Sequence, residues 1–397
     1  MGTEAPLAGV RVLDLTNVLA GPFACYQLAL MGAEVIKVER PGSGDLARQL
    51  GADPARSAAH MGISFLAQNA GKKSVTLNLK APEGRDLLHR LLEGADVLVE
   101  NYRPGVMDRL GVGYAALRAV RPELIYCAIS GFGQDGPWRD NPAYDQIVQG
   151  VSGVMSITGD VQSAPLRVGY PLADTVGGMT AAFAIASALN ARPRGGFLDV
   201  SMTEAVLATM GWVVSNHLIA GVEPQPQGNE NVTSAPSGTF ATADAPINIA
   251  ANKQEQWEAL ALHLGLAELI ARPDYASRDL RKAHRDALRR DLEAVLRTRP
   301  AAAWVPELNG LGIPAGPVLS VGEVLASDQI AGRGLVGRQR LGSGEEIALT
   351  ASPVVLDGVR PAAETPPPEL GADNAAVYGA LGLSGAEVAG LAARGVI

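Results

Sequence analysis

The chain has 397 residues, 47% hydrophobic and 19% charged, which supplies a sizeable core and lies far from the composition of disordered chains. Acidic residues (41) outnumber basic ones (33), and the formal charge of −8 argues against a nucleic-acid partner, which would need a basic surface. Two cysteines, Cys25 and Cys127, cannot form a disulfide scaffold. Both lie in apolar stretches, so buried free thiols in a reducing, cytoplasmic setting are expected.

The opening segment, MGTEAPLAGVRVLDL, has no basic start and no cleavage pattern, so it is not read as a signal peptide. Residues 10–16 (VRVLDLT) are β-branched and apolar and predict a strand. Residues 22–31 predict a helix that opens near a proline and ends at Gly32. Strands follow at 34–39 (EVIKVE) and 74–79 (SVTLNL). Residues 82–93 predict a helix with Pro82 in its first turn, Leu88, Leu91 and Leu92 on one face, and Gly94 behind it. Strands at 96–100 and 124–130 complete an alternation that predicts a parallel sheet with helices on its faces. Residues 177–189 read as a buried apolar helix, 197–202 as a strand and 203–220 as a helix. No run of about 18 apolar residues is free of polar interruption, so no membrane span is expected.

Composition then breaks. Residues 221–238 are rich in Pro, Gln, Asn and Gly and read as a linker. Beyond them a short strand (247–251) and helices at 254–264, 278–297 and 301–308 predict a smaller domain. The basic residues of 278–299 are interspersed with Asp279, Asp286, Asp291 and Glu293, the pattern of a solvated helix face. Strand rhythm resumes near 335–350, a proline-rich tether spans 361–371, and a short helix is expected at 386–393. The expected organisation is a large α/β domain with a Rossmann-like open parallel sheet (1–220), a linker (221–240), a small α+β domain (241–325) and a C-terminal segment (326–397) returning to the large one.

The chemistry of several common enzyme classes is absent. The loop after the first strand, Asn17 to Pro22, lacks the glycine spacing that admits a pyrophosphate. Glu39 is then a strand-end carboxylate beside Arg40. There is no phosphate-binding G-x-x-x-x-G-K-[ST] loop, no H-E-x-x-H, no C-x-x-C and no G-x-S-x-G. The histidines (60, 89, 217, 263 and 284) are scattered, and no metal site is predicted. Asp174 immediately precedes the apolar helix. It reads as an N-cap, and a helix N-terminus favours an ionised carboxylate there.

Eight segments in order carry a resemblance: LAGVRVLDLT with AGP (7–22), GAEVIKVERPGSGD (32–45), KKSVTLNLK (72–80), VENYRPG (99–105), LIYCAISGFGQDGP (124–137), PAYD (142–145), PLAD (171–174) and GIPAGPV (312–318). The sequence resembles the family III CoA-transferases, the formyl-CoA transferase and carnitine CoA-transferase group, which also contains α-methylacyl-CoA racemases. The resemblance implies CoA transfer between a thioester and a carboxylic acid, with Asp174 as the nucleophile. It implies an interlocked homodimer with the active site between large and small domains. It also implies acyl-CoA and free acid as substrates, and no metal or permanently bound cofactor. Lys72 and Lys73 stand among the cations at strand ends. The resemblance singles out Arg40, Leu77, Asn78, Lys80, Asn101, Tyr102, Arg103, Arg109, Ala143, Tyr144 and Asp145 as residues that hold CoA.

Three departures separate this chain from the formyl-CoA transferase pattern. Leu19 stands where a glutamine would, Pro142 where a lysine would, and 228–240 has no run of glycines. These point toward succinyl-CoA and small dicarboxylic acids rather than the oxalate–formate pair. Acceptor contacts are expected from 228–240, 252–256 and the partner subunit. Two alternatives stay open. A racemase of this group would use a histidine just before Asp145, where Tyr144 stands. A catalytically silent CoA-binding protein would keep the fold without turnover.

Overall fold

The computed structural model describes residues 5–397. Six strands appear where β-branched and apolar residues cluster: β1 (Arg11–Asp14), β2 (Glu34–Glu39), β3 (Lys72–Thr76), β4 (Val97–Glu100), β5 (Ile125–Ser130) and β6 (Gly196–Ser201). They form one parallel sheet in the order β3-β2-β1-β4-β5-β6. Such a sheet is buried on both faces. Alternate residues serve two cores, with Leu13, Ile36, Val75, Leu98 and Tyr126 on one side and Val12, Val35, Val97, Ile125 and Cys127 on the other. Cys25 and Cys127 are both buried free thiols.

The Pro82–Glu93 helix brings Leu87, Leu88, Leu91 and Leu92 to the first core, where Tyr378, Val396 and Ile397 of the C-terminal segment join them. That segment also closes the open edge of β3. The carboxylate of Asp373 accepts from the Ser74 amide at 2.8 Å, and Asn374 Oδ1 accepts from the Thr76 amide at 2.8 Å. Two amides that would otherwise template further strand pairing are thereby satisfied.

The second core holds helices Ala20–Leu30 and Leu172–Leu189. The latter begins five residues before the expected start at 177. By length and mean hydropathy (1.4) it is apolar enough to cross a membrane. Here its stripe of small residues packs inside the protein. A Cβ on Gly178 would stand 2.4 Å from the Ala20 carbonyl oxygen, and one on Gly177 would stand 2.7 Å from Met202 Cγ. Two helices approach this closely only over glycine. The expected 203–220 helix is broken into Met202–Thr209 and Trp212–Ala220, with Gly211 at φ +44° between them.

The chain divides into two compact units. One comprises residues up to Val154, Arg167–Glu223 and Ala331–Ile397; the other comprises Met155–Leu166 and Pro224–Ile330. The second unit has a three-stranded antiparallel sheet of β7 (Ser237–Phe240), β8 (Ile247–Ala250) and β9 (Ala315–Pro317). Its own core is built on Trp257, Tyr275, Leu292 and Trp304. A hairpin of β10 (Val336–Arg340) and β11 (Glu346–Thr350) belongs to the first unit.

The solvated face expected over 278–299 needs one correction. Its helix breaks at His284, and Arg281 is 1% exposed. Arg281 donates to the carbonyls of Ala235 (3.0 Å) and Tyr275 (2.9 Å) and lies over the Trp257 ring. Carbonyl acceptors and an aromatic face hold this guanidinium inside, with no carboxylate at ion-pair distance among the described residues.

Candidate active site

Asp174 is the third residue of the Leu172–Leu189 helix, not its cap. Asp145 does the capping. This buried residue opens the Asp145–Val151 helix, and its Oδ1 accepts from the amides of Ala173 (2.8 Å) and Asp174 (3.4 Å). Its Oδ2 accepts from Gln149 Nε2 (2.8 Å) and from the Arg167 guanidinium (3.1 Å). Gln149, fully buried, also donates to the Tyr170 carbonyl (3.2 Å) and accepts from the Val168 amide (3.0 Å), strapping the segment that leads into the helix.

The division of labour has an electrostatic consequence. The orphan amides at the helix start go to Asp145, and Asp174 is left half-buried without them. Burial, and then the Asp145 charge beside it, push the Asp174 carboxyl up to about 7. The expectation that the helix terminus keeps Asp174 ionised is therefore corrected: near neutral pH both forms are populated.

The residues that the resemblance assigns to CoA sit mostly at the carboxyl ends of the parallel strands, where open α/β sheets bind ligands. Arg40 follows β2 and is exposed; Lys80 lies beyond β3; Arg103 and Arg109 lie beyond β4. None of these four cations forms an ion pair with a described residue. The four adjacent strands β3, β2, β1 and β4 span about 15 Å at 4.8 Å per strand, room for an extended nucleotide.

Asn101 and Asn17 exchange two 2.8 Å hydrogen bonds, tying the loop after β4 to the loop after β1. Tyr102 is partly buried against the first core. Its amide donates to Glu100, whose carboxyl burial pushes up to about 7. Leu77 packs into the core, and Asn78 is engaged with the chain terminus through its amide to the Val396 carbonyl at 2.8 Å. Ala143 is partly buried, and Tyr144 is 68% exposed next to Asp145.

Lys72 and Lys73 are not free strand-end cations. Lys73 pairs with Glu34 at 2.6 Å, and Lys72 is buried, donating to Asp14 (2.8 Å) and the Pro22 carbonyl (2.9 Å). Glu39, expected only as a strand-end carboxylate, is buried in a two-pronged pair with Arg48 (2.7 and 2.8 Å). Arg48 also stacks on Phe65 at 3.6 Å.

Sequence reasoning missed the rest of this buried charge cluster: Asp14, Lys37 and Asp45, all essentially unexposed. The Asp14 and Asp45 carboxyls lie below the usual range, because nearby ammonium groups more than offset the opposing effect of burial. A signal was present in the sequence. Asp14 and Lys37 interrupt the apolar runs VRVLDLT and EVIKVE, and charges inside a parallel-sheet strand are buried and paired. Gln149 and Arg167 had no such signal.

The model of "CoA-transferase family III" matches residues 7–374 of this sequence. The chain belongs to CoA-transferase family III. The transferase is 39% identical to an acetyl-CoA:oxalate CoA-transferase of Acetobacter aceti, over 94% of this chain and 95% of that protein. It is 36% identical to a succinate–glutarate CoA-transferase of Agrobacterium fabrum, over 95% and 96%. Among solved structures it resembles a CAIB/BAIF family protein from Brucella suis, with a TM-score of 0.84, 32% identity, and coverage of 96% of this chain and all of that one. The transferase is an enzyme of CoA transfer between an acyl-CoA and a carboxylic acid.

Proposed function

We propose that this transferase moves CoA from succinyl-CoA or a related short acyl-CoA to a small dicarboxylic acid through covalent intermediates on Asp174. The observation that carries the reading is the Asp174 carboxylate: half-buried, relieved of helix capping by Asp145, and basic enough to titrate near 7. Its oxygen attacks the thioester carbonyl carbon. The C–S bond breaks, CoA leaves as thiolate, and a mixed anhydride remains. The thiolate then attacks the aspartyl carbon, the anhydride C–O bond breaks, and the donor acid leaves as carboxylate. The acceptor carboxylate reverses the two steps on the aspartyl-CoA thioester. Atoms and electrons balance with no further reactant.

Carboxylate is a weak nucleophile, so orientation must supply much of the rate; well-placed groups contribute up to about 7–11 kcal/mol. The free cations Arg40, Lys80, Arg103 and Arg109 bind the CoA phosphates and anchor the thioester at the carboxyl ends of the strands. Relatives named for succinyl-CoA with glutarate, D-citramalate and mesaconate favour a dicarboxylic acceptor; the acetyl-CoA:oxalate relative keeps oxalate in the comparison. The working form is a homodimer. Phe183, Leu218 and Ile219 of the first unit are 73, 75 and 85% exposed, apolar surface that a second copy would cover.

The test is peptide mass spectrometry after incubation with succinyl-CoA or acetyl-CoA, with glutarate, mesaconate and oxalate as acceptors. A CoA or acyl adduct on the Asp174 peptide, absent from Asp174→Ala, is expected. Undiminished transfer by Asp174→Ala would overturn the reading. Exchange of the α-hydrogen of a 2-methylacyl-CoA with deuterated water, without transfer, would point to racemase chemistry instead.

A further inference from the structure

The segment between β1 and the Ala20–Leu30 helix is held by side chains at the peptide groups of Thr16, Asn17 and Val18. The Thr16 amide donates to Asp14 (3.0 Å), and the Thr16 carbonyl accepts from Lys37 (2.8 Å). Asn17 is held at both its amide and carbonyl by Asn101. The Val18 amide donates to Asp45 Oδ1 at 2.9 Å. Val18 itself stands at φ +67°, in the left-handed region that a β-branched residue strongly disfavours. Surroundings must impose that conformation, and strained residues of this kind collect at functional sites.

The segment's exit adjoins the nucleophile helix. The Ala20 carbonyl lies against Gly178, and Asp174 is one helical turn before Gly178 on the same face. Its middle is tied to Asn101, among the residues assigned to CoA. Residues 16–19 therefore bridge the CoA side and the Asp174 side of the site.

We propose that Asp45 is a positioning residue for acyl transfer, holding Val18 in its left-handed conformation and so setting where residues 16–19 stand relative to Asp174. This rests on the transfer chemistry proposed above. Asp45 is 1% exposed and divides its two oxygens. Oδ2 meets the Lys37 ammonium at 2.9 Å, whereas Oδ1 accepts from the amides of Val18 and Ala47, both at 2.9 Å. A carboxylate that only neutralised Lys37 would have no need to reach the one strained residue of the loop.

The experiment is single-turnover formation of the Asp174 adduct from succinyl-CoA, followed by rapid-quench mass spectrometry, with acyl-CoA affinity measured separately by calorimetry. Asp45→Ala should slow adduct formation about 100-fold while changing acyl-CoA affinity less than about threefold, since a displacement of about 1 Å near reacting atoms is enough. Adding Val18→Gly to Asp45→Ala should restore at least about tenfold of that rate, because glycine adopts positive φ without strain. If Asp45→Ala does not fold, Val18→Pro tests the same point. It keeps the Asp45–Lys37 pair but forbids positive φ, and it should show the same slow adduct and retained affinity. An adduct rate within about threefold of wild type in the folded variant would assign Asp45 to stability alone, and a slow rate that glycine leaves unchanged would show that Asp45 does not act through Val18; either outcome would overturn the proposal. Absence of the adduct in wild type would instead sink the transfer reading itself, and this proposal with it.

Discussion

Replacing Asp174 by asparagine should abolish turnover and at the same time stabilise the protein, by an amount that depends on pH. In the unfolded chain this carboxyl titrates near 3.8; in the fold it is pushed up to about 7 by burial and by Asp145. Below about pH 3 both states hold the proton, and the group costs nothing. As pH rises toward 7 the unfolded state ionises while the folded state keeps its proton, so stability is lost steadily; above 7 the penalty levels off. A shift of about 3 units sets a ceiling near 4 kcal/mol, and water reaching the half-buried carboxyl reduces the realised value to about 2 kcal/mol. Asparagine has nearly the same shape and no charge, so it removes the penalty. Guanidinium denaturation of both proteins at fixed concentration, from pH 4 to 8, reads the effect directly. The two curves should converge toward pH 4 and diverge by about 2 kcal/mol at pH 8, with the variant the more stable. A difference that is constant with pH, or a variant less stable at pH 8, would refute the assignment of a half-buried, high-pKa carboxyl to position 174. The trade of stability for function is the usual one at active sites.

For the wild type, kcat/KM should rise with pH through an apparent pKa near 7, because only ionised Asp174 is nucleophilic. Asp145→Asn removes the neighbouring charge while leaving an oxygen to cap Ala173, so the profile should move to lower pH; a move to higher pH would show that Asp145 does not raise the nucleophile's pKa. Gly178→Ala places a methyl 2.4 Å from the Ala20 carbonyl and should cost about 1–3 kcal/mol in thermal or denaturant unfolding; an unchanged midpoint would mean the helix contact is looser than described. Arg103→Ala should raise KM for the acyl-CoA about tenfold with kcat little changed, the signature of lost uniform binding. An effect on kcat alone would remove Arg103 from phosphate recognition.

Much of the first unit was legible in the chain itself. All six strands of the sheet lie within a few residues of their expected places, because β-branched runs bounded by turn residues leave little else for the backbone to do. Asp174 stood out through the PLAD segment and its place beside an apolar helix. What the linear sequence left undecided was the partner of each charge. Asp145 lies 29 residues before Asp174, yet caps its helix, so Asp174 is a first-turn residue with a raised pKa instead of an ionised cap. Glu39 meets Arg48, Lys72 meets Asp14, and Arg281 turns inward onto carbonyls instead of outward to water. Periodicity decides which face of a strand or helix is apolar, since that depends on neighbours two to four residues away. Pairing of buried charges depends on groups brought within 3 Å by the sheet order, and only the tertiary structure supplies that order.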